Sequence, residues 1–101
     1  TDCRLGEILS SGQILSRSAT CLTKVAIDPV RASITTFFNS GTQSVAISGE
    51  DSSITVNRST GVQSIRMVGN TSEIVLKNAA GVDRAAINGD AGAISLNTAT
   101  D

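Results

Sequence analysis

Residues 41–60 read GTQSVAISGEDSSITVNRST, and residues 61–80 read GVQSIRMVGNTSEIVLKNAA. Set one above the other, they share an opening glycine (Gly41, Gly61) and a second glycine eight residues on (Gly49, Gly69). Apolar residues alternate within each: Val45/Ile47 and Ile54/Val56 in one, Ile65/Met67 and Ile74/Leu76 in the other. Period two over short stretches rich in β-branched residues marks half-buried strands, so each block predicts two of them. Glycine after the first strand suits a turn that needs φ > 0 or a tight bend.

The same ruler extends in both directions. Residues 81–100, GVDRAAINGDAGAISLNTAT, continue the plan without a gap. Residues 21–40 place Val25-Ala26-Ile27 over Val45-Ala46-Ile47. Residues 1–20 diverge most, yet Leu5 falls over Val25 and Ile14 over Ile34. One column therefore reads Ile14, Ile34, Ile54, Ile74, Ile94 with no insertion or deletion. A fixed period of this kind is the signature of a repeat architecture. The expectation is one all-β domain over 1–101, a β-solenoid of about five 20-residue coils with two short strands per coil. Block 1–20 is its divergent first coil, and 21–40, 41–60, 61–80 and 81–100 are its repeats. Stacked coils would bring each column into a ladder at roughly 4.8 Å spacing, with the isoleucine column as a continuous apolar stack inside.

Block one strains the pattern. Glu7 falls in the inward column of Ile27, Ile47, Met67 and Ile87, where an unpaired carboxylate would cost several kcal/mol. A bulge or phase slip around Glu7-Ile8-Leu9 is expected, or a terminal strand that completes no coil. Cys3 and Cys21 lie near one corner of adjacent blocks. The preferred reading is a Cys3–Cys21 disulfide pinning the first coil to the second, with free thiols or an intermolecular bridge as alternatives.

The chain has no His, which removes the commonest general base and metal ligand. Hydroxyls are plentiful but lack a positioned base, and the acidic residues Glu50, Asp51, Asp83 and Asp90 fall at corners. They match neither a paired-carboxylate glycosidase nor a calcium loop. The expectation is a protein that is no enzyme, with no catalytic, cofactor-binding or metal site and no cofactor. Eight Lys and Arg against nine Asp and Glu give a net charge of −1, without the basic excess that nucleic acid demands. No apolar run is long enough for membrane insertion by a helix.

Assembly is the remaining class. Ile8, Leu15, Phe37, Phe38, Val68 and Val75 fall at outward positions and are candidate contacts with another subunit. Adjacent Phe37 and Phe38 must point to opposite faces of a strand, so one of them turns away from the core. Unguarded solenoid ends expose strand edges that recruit another chain. Against simple head-to-tail stacking of coils, that contact would put Arg84 near Arg4 and Ile87 near Glu7. The chain begins with Thr1, a start that fits either a processed mature protein or an excised fragment.

The stretch from Asn57 to Leu76, repeated through Leu96, resembles the β-repeats of bacterial surface proteins and phage tail fibres. The strand-turn-strand plan is also similar in architecture to curli-type fibre subunits, although only Gln43 and Gln63 stack where those carry Gln/Asn ladders. The resemblance covers about sixty residues well. Together these observations point to a structural protein whose partner is itself, a self-associating subunit of an extracellular filament or cell-surface assembly. A shaft or tip segment of a trimeric phage tail fibre, located in the virion, is the alternative. A monomeric ice- or carbohydrate-binding solenoid is a third reading.

Overall fold

The computed structural model describes residues 4–97. Ten strands run through them: β1 (Gly6–Ile8), β2 (Ile14–Arg17), β3 (Thr23–Asp28), β4 (Ser33–Phe37), β5 (Gln43–Ser48), β6 (Ser53–Asn57), β7 (Gln63–Val68), β8 (Glu73–Lys77), β9 (Asp83–Asn88) and β10 (Ala93–Leu96). No helix occurs among the described residues. The all-β reading with two strands per block therefore holds. The strands form one sheet in sequence order, β1 through β10, and every neighbouring pair is antiparallel.

This is an open meander, and the block-on-block stacking of a solenoid is not the arrangement adopted. A coil would set Ile34 beside Ile54 in parallel. Here Ile34 lies between Ile27 and Ile47, its antiparallel partners. The loops favour it: each is three or four residues long, a length that closes a hairpin between consecutive strands.

Two loop designs alternate. Between β6 and β7, Arg58 N–H donates to Val62 O (2.8 Å) and Gly61 N–H donates to Arg58 O (2.8 Å). That is a type I turn closed by a left-handed residue, the three-residue hairpin loop. Its left-handed position is Gly41, Gly61 or Gly81, and in block two Cys21 at φ 74°. The other loop has four residues. Asp28 pairs with Ser33 across 29–32, and Val68 with Glu73 across 69–72. Its left-handed position is Ala32, Ser52, Ser72 or Gly92.

The glycines of the Gly49 column serve another purpose than the expected positive φ, which falls three residues later in each loop. Gly49, Gly69 and Gly89 donate their N–H at 2.7 Å to the carbonyls of Ala32, Ser52 and Ser72 on the preceding hairpin. A Cβ on Gly49 would sit 3.0 Å from Ala32 O and 3.1 Å from Ala32 Cβ. Glycine is there for close approach of backbones.

Because Ser52 holds φ 53°, a conformation that strains a side chain, Ser52→Gly is expected to raise stability by up to about 1 kcal/mol. Gly92 already fills the equivalent place in the last hairpin. The urea midpoint should rise with an unchanged m-value, and a fall would contradict this account of the loop.

Every three-residue loop between β2 and β9 is followed by a register shift, at Ser16/Arg17, Thr36/Phe37, Val56/Asn57 and Leu76/Lys77. The unpaired residues are Lys24, Ser44, Ser64 and Arg84, one β-bulge in each of blocks two to five.

The first hairpin departs from its column. Leu9 N–H donates to Gln13 O (2.8 Å) and Gly12 N–H to Leu9 O (2.9 Å), so it has the three-residue loop where later blocks have four. Losing one residue slips β1 by one position. Ile8 instead of Glu7 then pairs with Ile14, and Glu7 pairs with Leu15 on the other face. There Glu7 Oε1 accepts from Arg17 Nη1 at 2.7 Å, and the same nitrogen reaches Arg4 O at 3.0 Å. The slip takes Glu7 out of the isoleucine row and gives its half-buried carboxylate a cation partner.

Candidate functional site

Strand alternation and the pairing register together sort the side chains onto two faces. On one face a row crosses all ten strands: Ile8, Ile14, Ile27, Ile34, Ile47, Ile54, Met67, Ile74, Ile87, Ile94. Two residues along each strand lies a second row: Gly6, Ser16, Val25, Thr36, Val45, Val56, Ile65, Leu76, Ala85, Leu96. Neither row contains a charged residue. Ser16 and Thr36 are its weak positions, and Thr36 Oγ1 is hydrogen-bonded to Ser44 Oγ at 2.6 Å.

The opposite face is mixed. Its central row reads Glu7, Leu15, Ala26, Thr35, Ala46, Thr55, Arg66, Val75, Ala86, Ser95. Asp28, Glu73, Lys77 and Asp83 also lie on this side, with Lys77 Nζ donating to Asp83 Oδ1 at 2.5 Å. Small residues dominate the central row, and the two buried residues of the described chain, Val75 and Thr35, belong to it. Arg66 Nε, between Thr55 and Val75 in register, is buried without a hydrogen-bond partner.

Cross-strand neighbours cover only the flanks of a side chain in a single layer. The isoleucine row accordingly stays open: Ile34 is 42 % exposed, Ile47 41 %, Ile74 39 % and Ile87 43 %. Covering the remaining two fifths of one such side chain, on the order of 70 Å², is worth about 1.7 kcal/mol. A stable domain buries its apolar faces against a second layer. This sheet supplies the face and no layer of its own. The column Ile14, Ile34, Ile54, Ile74, Ile94, expected inside a coil, lies on that open surface.

The candidate contact residues do not form one patch. Ile8 belongs to the isoleucine row, opposite Ile14, and is 74 % exposed. Leu15 and Val75 stand in the central row of the mixed face, and Val75 is 3 % exposed, which leaves it little surface to offer. Val68, paired with Ser53 and Glu73, lies on the mixed face beside the four-residue loops. Phe37 is paired with Gln43 on that face as well. Phe38 opens the next three-residue loop, its N–H donating to Thr42 O at 2.8 Å. Both rings are half-buried. Lys24, beside them, donates from Nζ to Asn39 Oδ1.

Cys21 is disulfide-bonded. Cys3 lies outside the described residues, and so does the expected pairing.

What sequence reasoning missed is the second row of the apolar face. Val25, Val45, Val56, Ile65 and Leu76 were legible as inward strand positions, but only the hairpin register sets them edge to edge beside the isoleucines. Among the described residues there is no cavity and no group of three His, Cys, Asp or Glu placed to hold a metal ion. The chain matches no protein-family model, no curated protein and no solved structure.

Proposed function

We propose that this chain is a non-enzymatic structural protein, a self-associating repeat subunit of an extracellular filament or surface assembly. One observation carries the reading: two adjoining rows without a charged residue cross all ten strands, and the isoleucine row stays open to solvent. Contiguous exposed apolar surface beyond a few hundred Å² marks an interaction site. The repeat supports the same reading, since similar strand pairs present similar apolar rows from block to block. Near-neutral charge and the lack of a basic patch favour the chain itself over nucleic acid as partner.

The five-coil solenoid is the other way to cover the same face, by rolling the blocks so that the isoleucines meet inside one chain. It would break the antiparallel hairpin bonds and replace them with parallel pairs twenty residues apart. A shaft of three chains around an axis, as in a phage tail fibre, covers the face without breaking them.

Mass in solution, measured by sedimentation from low to high micromolar concentration and joined to electron microscopy of the same samples, tests the proposal. Assembly is expected, as closed pairs or as open-ended polymers. A discrete trimer would shift the reading to a fibre shaft in a virion. A stable monomer throughout would overturn self-association in either form and favour a monomeric binding protein.

A further inference from the structure

Resting on the self-association reading, the geometry points to a specific mode: we infer that the apolar face is covered by the same face of a second copy, giving a two-layer β-sandwich. Three features select that occupant. The first is area. Ten strands spaced about 4.8 Å apart, three to six residues long and about five on average at about 3.4 Å per residue, present a face on the order of 800 Å². A stable protein interface takes about 800 Å² per partner, so one copy suffices to make one.

Shape is the second. The sheet measures 51 × 27 × 12 Å, a thin slab whose isoleucine row runs across it without a break. A slab of the same form matches it over its whole extent, and sheets stack at about 10 Å through interdigitated side chains. Charge is the third. The two apolar rows hold no charged residue, and the cations beside them, the bulge residues Lys24 and Arg84, stand next to the three-residue loops at the rim. A second copy brings rows equally free of charge, and a two-fold axis lets one patch serve both sides.

The test uses adjacent residues that point to opposite faces. Spin labels are placed on Ile54→Cys and, separately, on Thr55→Cys, under non-reducing conditions that keep the Cys21 disulfide. Accessibility to a water-soluble nickel relaxant is then read in assembled protein. The label at 54 should be about tenfold less accessible than that at 55, as in the dry centre of an interface. Ile87→Cys against Ala86→Cys repeats the comparison on β9, three strands away from β6, should the first label prevent folding. Assembly with residues 54 and 55 equally accessible would overturn the stacked pair while leaving self-association standing. A monomer with residue 54 open would overturn both. Protection of residue 54 only after adding phosphatidylcholine and phosphatidylglycerol vesicles would replace the second copy by a lipid surface.

Discussion

Val56→Asp is expected to turn the assembled protein into monomers, weakening association by at least about 100-fold, while Thr55→Asp leaves assembly intact. The two positions are neighbours on β6 and differ in the face they present. Val56 stands in the second apolar row between Val45 and Ile65. Thr55 stands in the mixed row between Ala46 and Arg66. Aspartate is a poor strand residue at either place, so each variant loses up to about 1 kcal/mol of sheet propensity and that loss cancels in the comparison. The difference lies in what a second layer does. In a monomer the new carboxylate at 56 still meets water across an open face. In a stacked pair it is enclosed by isoleucine and valine with no cation in either row, at a cost of several kcal/mol. Asp is chosen over Lys because its short side chain cannot carry its charge out to the rim. Sedimentation of the two variants beside the parent measures the effect. Equal assembly of all three would sink the apolar face as the contact.

The same comparison shows where sequence reading stopped. Strand alternation identified which residues of a block share a face, and the expected slip at Glu7-Ile8-Leu9 is realised through the shorter loop of the first hairpin. The sequence does not say whether an apolar face is covered by its own chain or by another copy, because both demand the same isoleucines. Coil and meander also share one alternation, two strands in twenty residues. What separates them is the loops, and there the residue types mislead. Ala32, Ser52 and Ser72 carry the left-handed turns of the four-residue loops, where glycine would have announced a hairpin. Gly49, Gly69 and Gly89 look like turn glycines and are instead points of close backbone approach. The bulge residues Lys24, Ser44, Ser64 and Arg84 are ordinary polar strand residues with no glycine among them to mark a bulge, so the register that aligns the second apolar row was hidden.

Gly61→Val carries the largest expected cost to the sheet itself, about 1–3 kcal/mol. Gly61 holds φ 92° at the end of the turn joining β6 and β7, a region that a β-branched residue enters only under strain. Space is not the obstacle. A Cβ there would meet Thr42 Cγ2 at 3.6 Å, an ordinary contact, so the loss reports backbone strain alone. Relieving the strain would require breaking the two 2.8 Å bonds that close the loop, Gly61 N–H to Arg58 O and Arg58 N–H to Val62 O. Either way β6 and β7 separate more easily. Gly61→Asn is expected to lose less, because a short polar side chain tolerates positive φ. Cys21 shows that the column admits a side chain, at φ 74° and with a disulfide to hold it. Each hairpin of the meander pairs only with its sequence neighbours, so the damage should stay local. Hydrogen exchange is expected to quicken across β6 and β7 while the amides of β3 and β4 keep their protection. If the valine variant matched the parent in urea midpoint, or if exchange rose evenly over all ten strands, the left-handed turn would not be what holds these hairpins in register.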